Sequence, residues 1–232
     1  MKIFSIVTSL MILGIASRAE AIPAALVFKN YEAHYTLRYD GIPFGKSITT
    51  FVIPKNHRYM LCIENKTTLP FLHGATKECS TGMLTPKIIK PLTYDYDYKN
   101  SSNHQHIHID FDWKKQLAIM SVKNSTWHIT IPQNTQDKLS YQLLIRRGLA
   151  QGQTAFSFPI ADGGKLKLYE FDVVEHHGNT IKLTRRPMPS KENVSIWFRA
   201  DRDYIVSEAR QNKHIADVGT ATLDNFTWNP HV

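Results

Sequence analysis

Apolar and polar side chains alternate with period two along almost the whole chain. That alternation limits the fold more than any other feature, because successive residues of a strand point to opposite faces of a sheet. It is clearest from Tyr31 to Tyr39, where Tyr31, Ala33, Tyr35, Leu37 and Tyr39 share one face and Glu32, His34, Thr36 and Arg38 the other. Asp40-Gly41 then supplies a turn. Further strands are predicted near residues 44–53, 57–66, 75–84, 88–98, 105–113, 116–123, 126–131, 154–160, 165–175, 179–186, 193–200, 204–213 and 217–227, bounded by Pro, Gly, Asn or Lys clusters. A twisted antiparallel sheet of so many strands must curl, split or close, because twist accumulates and open edges invite aggregation. The expected fold is mainly β, a strongly curved or closed, barrel-like antiparallel sheet.

The period changes once, from two to that of a helix, near residues 136–147. There Leu139, Leu143 and Ile145 with Tyr141 make an apolar side. Thr135 is placed to cap the start, Asp137 to sit in the first turn, Arg146 and Arg147 in the last, and Gly148 just past the end. Such a helix is ~18 Å long by its rise per residue, enough to plug or cover one mouth of a curved sheet. A helix in mid-chain also argues against an outer-membrane barrel, whose strands are joined as hairpins beneath an apolar outer band.

The amino-terminal segment has a different character. Met1-Lys2 precedes an apolar run from Ile3 to Ala16, and Ala19-Glu20-Ala21 has the small-x-small pattern of a cleavage site. Residues 1–21 are therefore predicted to be a secretory signal peptide, cut between Ala21 and Ile22 to leave one β-rich periplasmic domain over 22–232. No later apolar stretch approaches the ~20 residues of a membrane helix. The chain carries a formal charge of +8, which falls by one with loss of Lys2, Arg18 and Glu20. The basic residues are scattered rather than gathered on one element, which suits a solvated surface, and an exported chain without a reading motif is not expected to bind nucleic acid.

Two cysteines are present, Cys62 and Cys79. In an oxidising compartment an even pair is most simply a disulfide, worth about 3 kcal/mol for a loop of this size. Neither lies in a C-x-x-C pair or beside a histidine, so metal ligation by thiolate has little support.

The sharpest local cluster runs from His104 to Trp113. On a strand Ile107, Ile109, Phe111 and Trp113 face the core, while His104, His106, His108, Asp110 and Asp112 share the outer face. His-x-His on a strand can place two imidazoles on one zinc or copper ion, with Asp110 as a third ligand or an orienting partner. The competing reading is an ordinary amphipathic strand with a histidine-rich wet face, since one strand seldom completes a closed site. The same row can act as a pH sensor through the imidazole range. Asp95 and Asp97 alternate with Tyr94, Tyr96 and Tyr98, giving a wet face opposite an aromatic one. No nucleophile elbow or phosphate loop is present, and no residue is assigned a catalytic role.

Several short patterns occur in a fixed order: Tyr31-x-Ala33-x-Tyr35 with Gly41 and Gly45; Ser80-x-Gly82 with Pro91 and Tyr94; Phe111-Asp112-Trp113; Gln136-Asp137-x-Leu139-Ser140; Tyr169-x-Phe171-x-Val173; and Trp197-x-x-Ala200-Asp201. In these the chain resembles the exported bacterial family catalogued as domain of unknown function 3108. The resemblance implies a periplasmic, barrel-like β domain and implies no reaction. The leading expectation is a non-enzymatic protein whose concave aromatic face binds an apolar or amphiphilic envelope component, a lipid, or an envelope partner protein. The alternatives are a metal-binding module on His104, His106 and His108, and a structural factor in envelope assembly.

Overall fold

In the computed structural model of the chain, the described residues are 26–55, 57–67, 74–123, 125–186, 193–212 and 218–229. The predicted leader and its cleavage site lie outside them. Eight strands come first: β1 (Tyr31–Tyr39), β2 (Ile42–Val52), β3 (Arg58–Thr67), β4 (Gly74–Leu84), β5 (Ile89–Asn100), β6 (His104–Asp112), β7 (Leu117–Val122) and β8 (Ser125–Thr130). A helix, α1 (Tyr141–Ala150), separates them from β9 (Ala155–Asp162), β10 (Lys165–His177), β11 (Thr180–Arg185), β12 (Asn193–Arg199), β13 (Ile205–Asn212) and β14 (Val218–Trp228). Each of the fourteen segments predicted from period-two alternation is a strand.

All fourteen strands form one antiparallel sheet in the order β8-β7-β6-β5-β4-β3-β2-β1-β14-β13-β12-β11-β10-β9. Every neighbour is also a sequence neighbour except one. Strand β1 pairs with β14, from Tyr31 opposite Trp228 to Tyr39 opposite Gly219, and so joins the two meanders into a nearly closed barrel. The seam lies between β8 and β9, the strands flanking the helical connection. Gln136 lies along β9 there, its N–H donating to the Pro159 carbonyl at 2.8 Å and its carbonyl accepting from Ala161 N–H at 2.9 Å. Beyond it Gly164, in the β9–β10 turn, donates its N–H to Met120 Sδ and lies against the Trp127 ring.

Alternation now has a spatial meaning. Tyr31, Ala33, Tyr35, Phe51, Tyr59, Leu61, Tyr94, Ile109, Phe171 and Phe198 point inward and are buried. The outward positions carry ion pairs, among them Lys46–Asp224, Lys77–Glu64, Lys182–Glu175 and Arg186–Asp172. An apolar inside and a charged outside reverse the arrangement of a lipid-embedded barrel. Cys62 and Cys79 stand directly opposite one another on β3 and β4, at disulfide distance, with their Cα atoms 4.1 Å apart.

The helix departs from its predicted bounds. It begins at Tyr141 rather than at residue 136, and it ends at Ala150. Asp137 is the cause: its Oδ1 accepts the backbone N–H groups of Leu139 and Ser140, both at 2.7 Å, so these residues form a tight turn ahead of the helix. Asp137 therefore lies outside the first helical turn, and Thr135 makes no cap, its hydroxyl being buried without a hydrogen-bond partner. Gly148 is inside the helix, where an added Cβ would meet the Phe156 ring and the Gln153 amide. The residue past the end is Gly152, with φ +77, and its N–H bonds back to the Leu149 carbonyl.

Candidate functional site: the barrel lumen

Helix α1 sits within the barrel. Tyr141, Leu143, Ile145, Arg146, Gly148 and Leu149 are all buried, and its apolar residues enter both hydrophobic clusters of the interior. Tyr141 stacks on Phe171, with ring centroids 5.5 Å apart. The expected plug is thus realised at one end of the barrel, beside the β4–β5 and β12–β13 connections.

Two charged anchors hold it. At the helix amino end, Asp137 is fully buried; besides its two backbone donors, its Oδ2 accepts the Ser80 hydroxyl at 2.5 Å. The Ser80 and Tyr59 hydroxyls are 3.0 Å apart, and Ser140 Oγ accepts Asp137 N–H. Burial pushes the Asp137 carboxyl up to about 6, against the pull of Ser80 and the backbone donors. Near the carboxyl end, Arg146 is only 2% exposed. Its Nε and Nη2 donate to the Asp203 carbonyl at 3.1 and 3.0 Å, and its guanidinium lies 5.1 Å from the rings of Phe28 and Tyr31. Asp203 follows the Trp197-x-x-Ala200-Asp201 pattern and adopts a left-handed conformation, φ +49, that aims this carbonyl inward.

The short patterns noted in the sequence meet around this plug. Ser80 binds Asp137. Gly82 lets β4 and β5 pass against the Tyr59 ring, for a Cβ there would strike that ring and the Lys90 carbonyl. Trp113 Nε1 donates to the Pro91 carbonyl at 2.6 Å, and Phe171 receives Tyr141.

Above the plug the barrel is open. A cavity of about 450 Å³ is lined on its apolar side by Tyr35, Leu37, Phe44, Ile63, Ile196 and Val206. Lys138, Leu139, Tyr141 and Gln142, from the turn and first helical residues, form its floor, and Glu78 stands in its wall. A second cavity of about 220 Å³ lies behind the β8–β9 seam, bounded by Tyr94, Tyr96, Ile107, Met120 and Gly163, and Lys138 borders both. The Tyr94 hydroxyl donates to Glu78 Oε2 at 2.6 Å, and burial and then the Glu78 charge raise its pKa. The Lys138 ammonium lies 5.7 Å from the Tyr96 ring. Alternation predicted an aromatic interior, but not these polar groups. Lys138 occupies the variable place in Gln136-Asp137-x-Leu139-Ser140, and Glu78 is marked by nothing in the sequence except its parity with Ser80.

The histidine row lies on the outside. His104 Nε2 pairs with Asp97 at 2.8 Å, His108 Nδ1 with Asp95 at 2.7 Å and His108 Nε2 with Asp110 at 3.1 Å, while His106 stands 3.6 Å from Asp97. Register explains this, since Asp95 and Asp97 of β5 lie opposite His108 and His106 of β6. Asp95 and Asp97 are thus cross-strand partners and Asp110 a same-strand one, and among the described residues no group of three or more His, Cys, Asp or Glu side chains is arranged to hold a metal ion. Desolvation works to lower the His108 pKa, but the hydrogen bond and charge of Asp95, with Asp110 behind it, outweigh it and leave the group raised.

Fold and lumen together define a class: a nearly closed antiparallel β-barrel with one end stopped by an internal helix and the other open to a cavity. The chain belongs to the DUF3108 family, described as a protein of unknown function, which it matches over residues 30–224. The chain is also similar to a solved structure, the beta-barrel-like protein of domain of unknown function DUF1849 from Brucella abortus. The two are 10% identical with a TM-score of 0.59, and the match covers 89% of this chain and 100% of the other. No curated protein matches the chain.

Proposed function

We propose that the chain is a periplasmic carrier or receptor that takes an amphiphilic envelope component into its lumen through the open end. The observation that carries this reading is the 450 Å³ cavity, within the usual range of small-molecule sites and lined mainly by apolar and aromatic side chains with a few convergent polar groups. A small barrel either fills its interior with side chains or holds one guest there. Here the helix fills one half and leaves the other free. The leader sequence and the facing cysteines support an oxidising, extracytoplasmic setting.

Protein purified from its native envelope and extracted with solvent is expected to release a lipid-like molecule in near-stoichiometric amount, identified by mass spectrometry. Repeated recovery of empty protein that takes up no lipid in solution would overturn the proposal. Elemental analysis of untagged protein with zinc and copper titration separates it from a metal-binding module on the histidine face.

A further inference from the structure

The guest's headgroup can be read from the charges that the lumen leaves unmatched. This rests on the lumen reading above. Five charged side chains border or underlie the cavities, and three are already committed. Asp162 is paired with Lys167 at 2.7 Å, and Asp137 is consumed by Ser80 and the two backbone donors of the plug. Arg210, at the rim, is held by Glu208 at 3.0 Å. Lys138 and Glu78 remain. Both line the larger cavity, yet they form no ion pair with each other. Among the described residues no carboxylate lies within ion-pair distance of the Lys138 ammonium, and no cation within that distance of Glu78, whose contact is the neutral Tyr94 hydroxyl.

We propose that the lumen selects a single-chain zwitterionic amphiphile, with Lys138 taking its anionic group and Glu78 its cationic one. Opposite charges held apart in a partly desolvated cavity are matched by a guest carrying both signs. An anionic guest pairs with Lys138 but faces Glu78 as a like charge, a cationic guest does the reverse, and a neutral guest desolvates both without compensation. A single chain follows from the size of the space, which is that of a drug-sized guest. The acyl tail runs along Tyr35, Leu37, Phe44 and Val206 toward the open end.

The test uses the full mature chain with its cysteines oxidised, and calorimetric titration with four probes of equal chain length below their micelle concentrations: a lysophosphatidylethanolamine, a fatty acid, an alkylamine and a fatty alcohol. The zwitterion is expected to bind tightest, by roughly tenfold or more over the others. Glu78→Gln, which keeps an acceptor for Tyr94, is expected to move the preference toward the fatty acid, and Lys138→Gln toward the alkylamine. Equal binding of all four probes, a wild-type preference for the fatty acid or the amine, or an order unchanged by both variants would overturn the charge assignment while leaving the lumen reading standing. Failure of every probe to bind would overturn the lumen reading and this inference with it.

Discussion

Asp137 shows how much one buried carboxylate can organise. It gathers three donors, two from the backbone of its own turn and one from Ser80, and so fixes where the helix starts and where its amino end is pinned. Its pKa, raised from the ordinary carboxylate value to about 6, means that the folded chain holds this proton more tightly than the unfolded chain does. The associated stability is complete below about pH 4 and is lost as pH rises through 6, a change of about 3 kcal/mol over the window. Other carboxylates, such as Asp97 and Asp172, are shifted downward and give the opposite slope. The diagnostic is therefore a difference: urea unfolding from pH 4 to 7 is expected to show that Asp137→Asn removes a falling component, and parallel curves for variant and wild type would contradict the assignment. Ser80→Ala leaves Asp137 Oδ2 and the Tyr59 hydroxyl short of a partner and should cost about 1–3 kcal/mol at neutral pH. His108 on the outer face acts differently. Because its pKa is raised, the pairing with Asp95 stabilises the fold below the ordinary imidazole range and fades as pH rises above it, so His108→Gln should flatten the stability profile there, with His106→Gln as the comparison. None of these partnerships was legible in the sequence, for Ser80 and Asp137 are 57 residues apart and nothing local to either names the other.

The strands were legible because each carries its own signal: a half-buried strand must alternate whatever it pairs with, so Tyr31–Tyr39 could be read without knowing that β14 lies beside it. The helix was legible in kind but not in place. Its apolar stripe announced a helix, while the capping rules placed its start at Thr135 and could not foresee that the Asp137 side chain would take the N–H groups of Leu139 and Ser140. Arg146 misled for a related reason, since a basic residue near a helix end suits the dipole, whereas this one is buried against Phe28 and Tyr31 and bound to the Asp203 carbonyl. If α1 is an integral plug rather than a cover, Leu143→Ala and Ile145→Ala should each destabilise by about 2–5 kcal/mol in chemical denaturation, as fully buried aliphatic truncations do. Losses below about 1 kcal/mol would mean that the helix is only loosely seated. The unzipped ends of the sheet invite a second check: backbone amides of the exposed edge strand β8 should exchange with deuterium well before those of β3 and β4, which are paired on both sides and carry the facing cysteines.

At the level of the whole molecule, closure depends on a pairing that no local pattern encodes. Strand β1 finds β14 at the far end of the chain, and only then do two meanders enclose a common interior. The sequence therefore pointed to a curved or closed sheet without saying which strands meet, and to an aromatic interior without saying which half would be filled. The division into a packed end and an open end follows from where the helix enters, and with it come the cavity and a Lys138 and a Glu78 that form no ion pair with each other. The central claim is that this open half is a binding lumen, and a substitution that fills it tests the claim most directly. Ala221 lies on β14 with its side chain toward the cavity, opposite Leu37. Titration of a single-chain amphiphile into wild-type protein and into Ala221→Trp, each first confirmed to unfold cooperatively, should give stoichiometric binding in the first and a loss of affinity of at least about tenfold in the second. Equal affinity in two equally well-folded proteins would place the guest elsewhere and contradict the account.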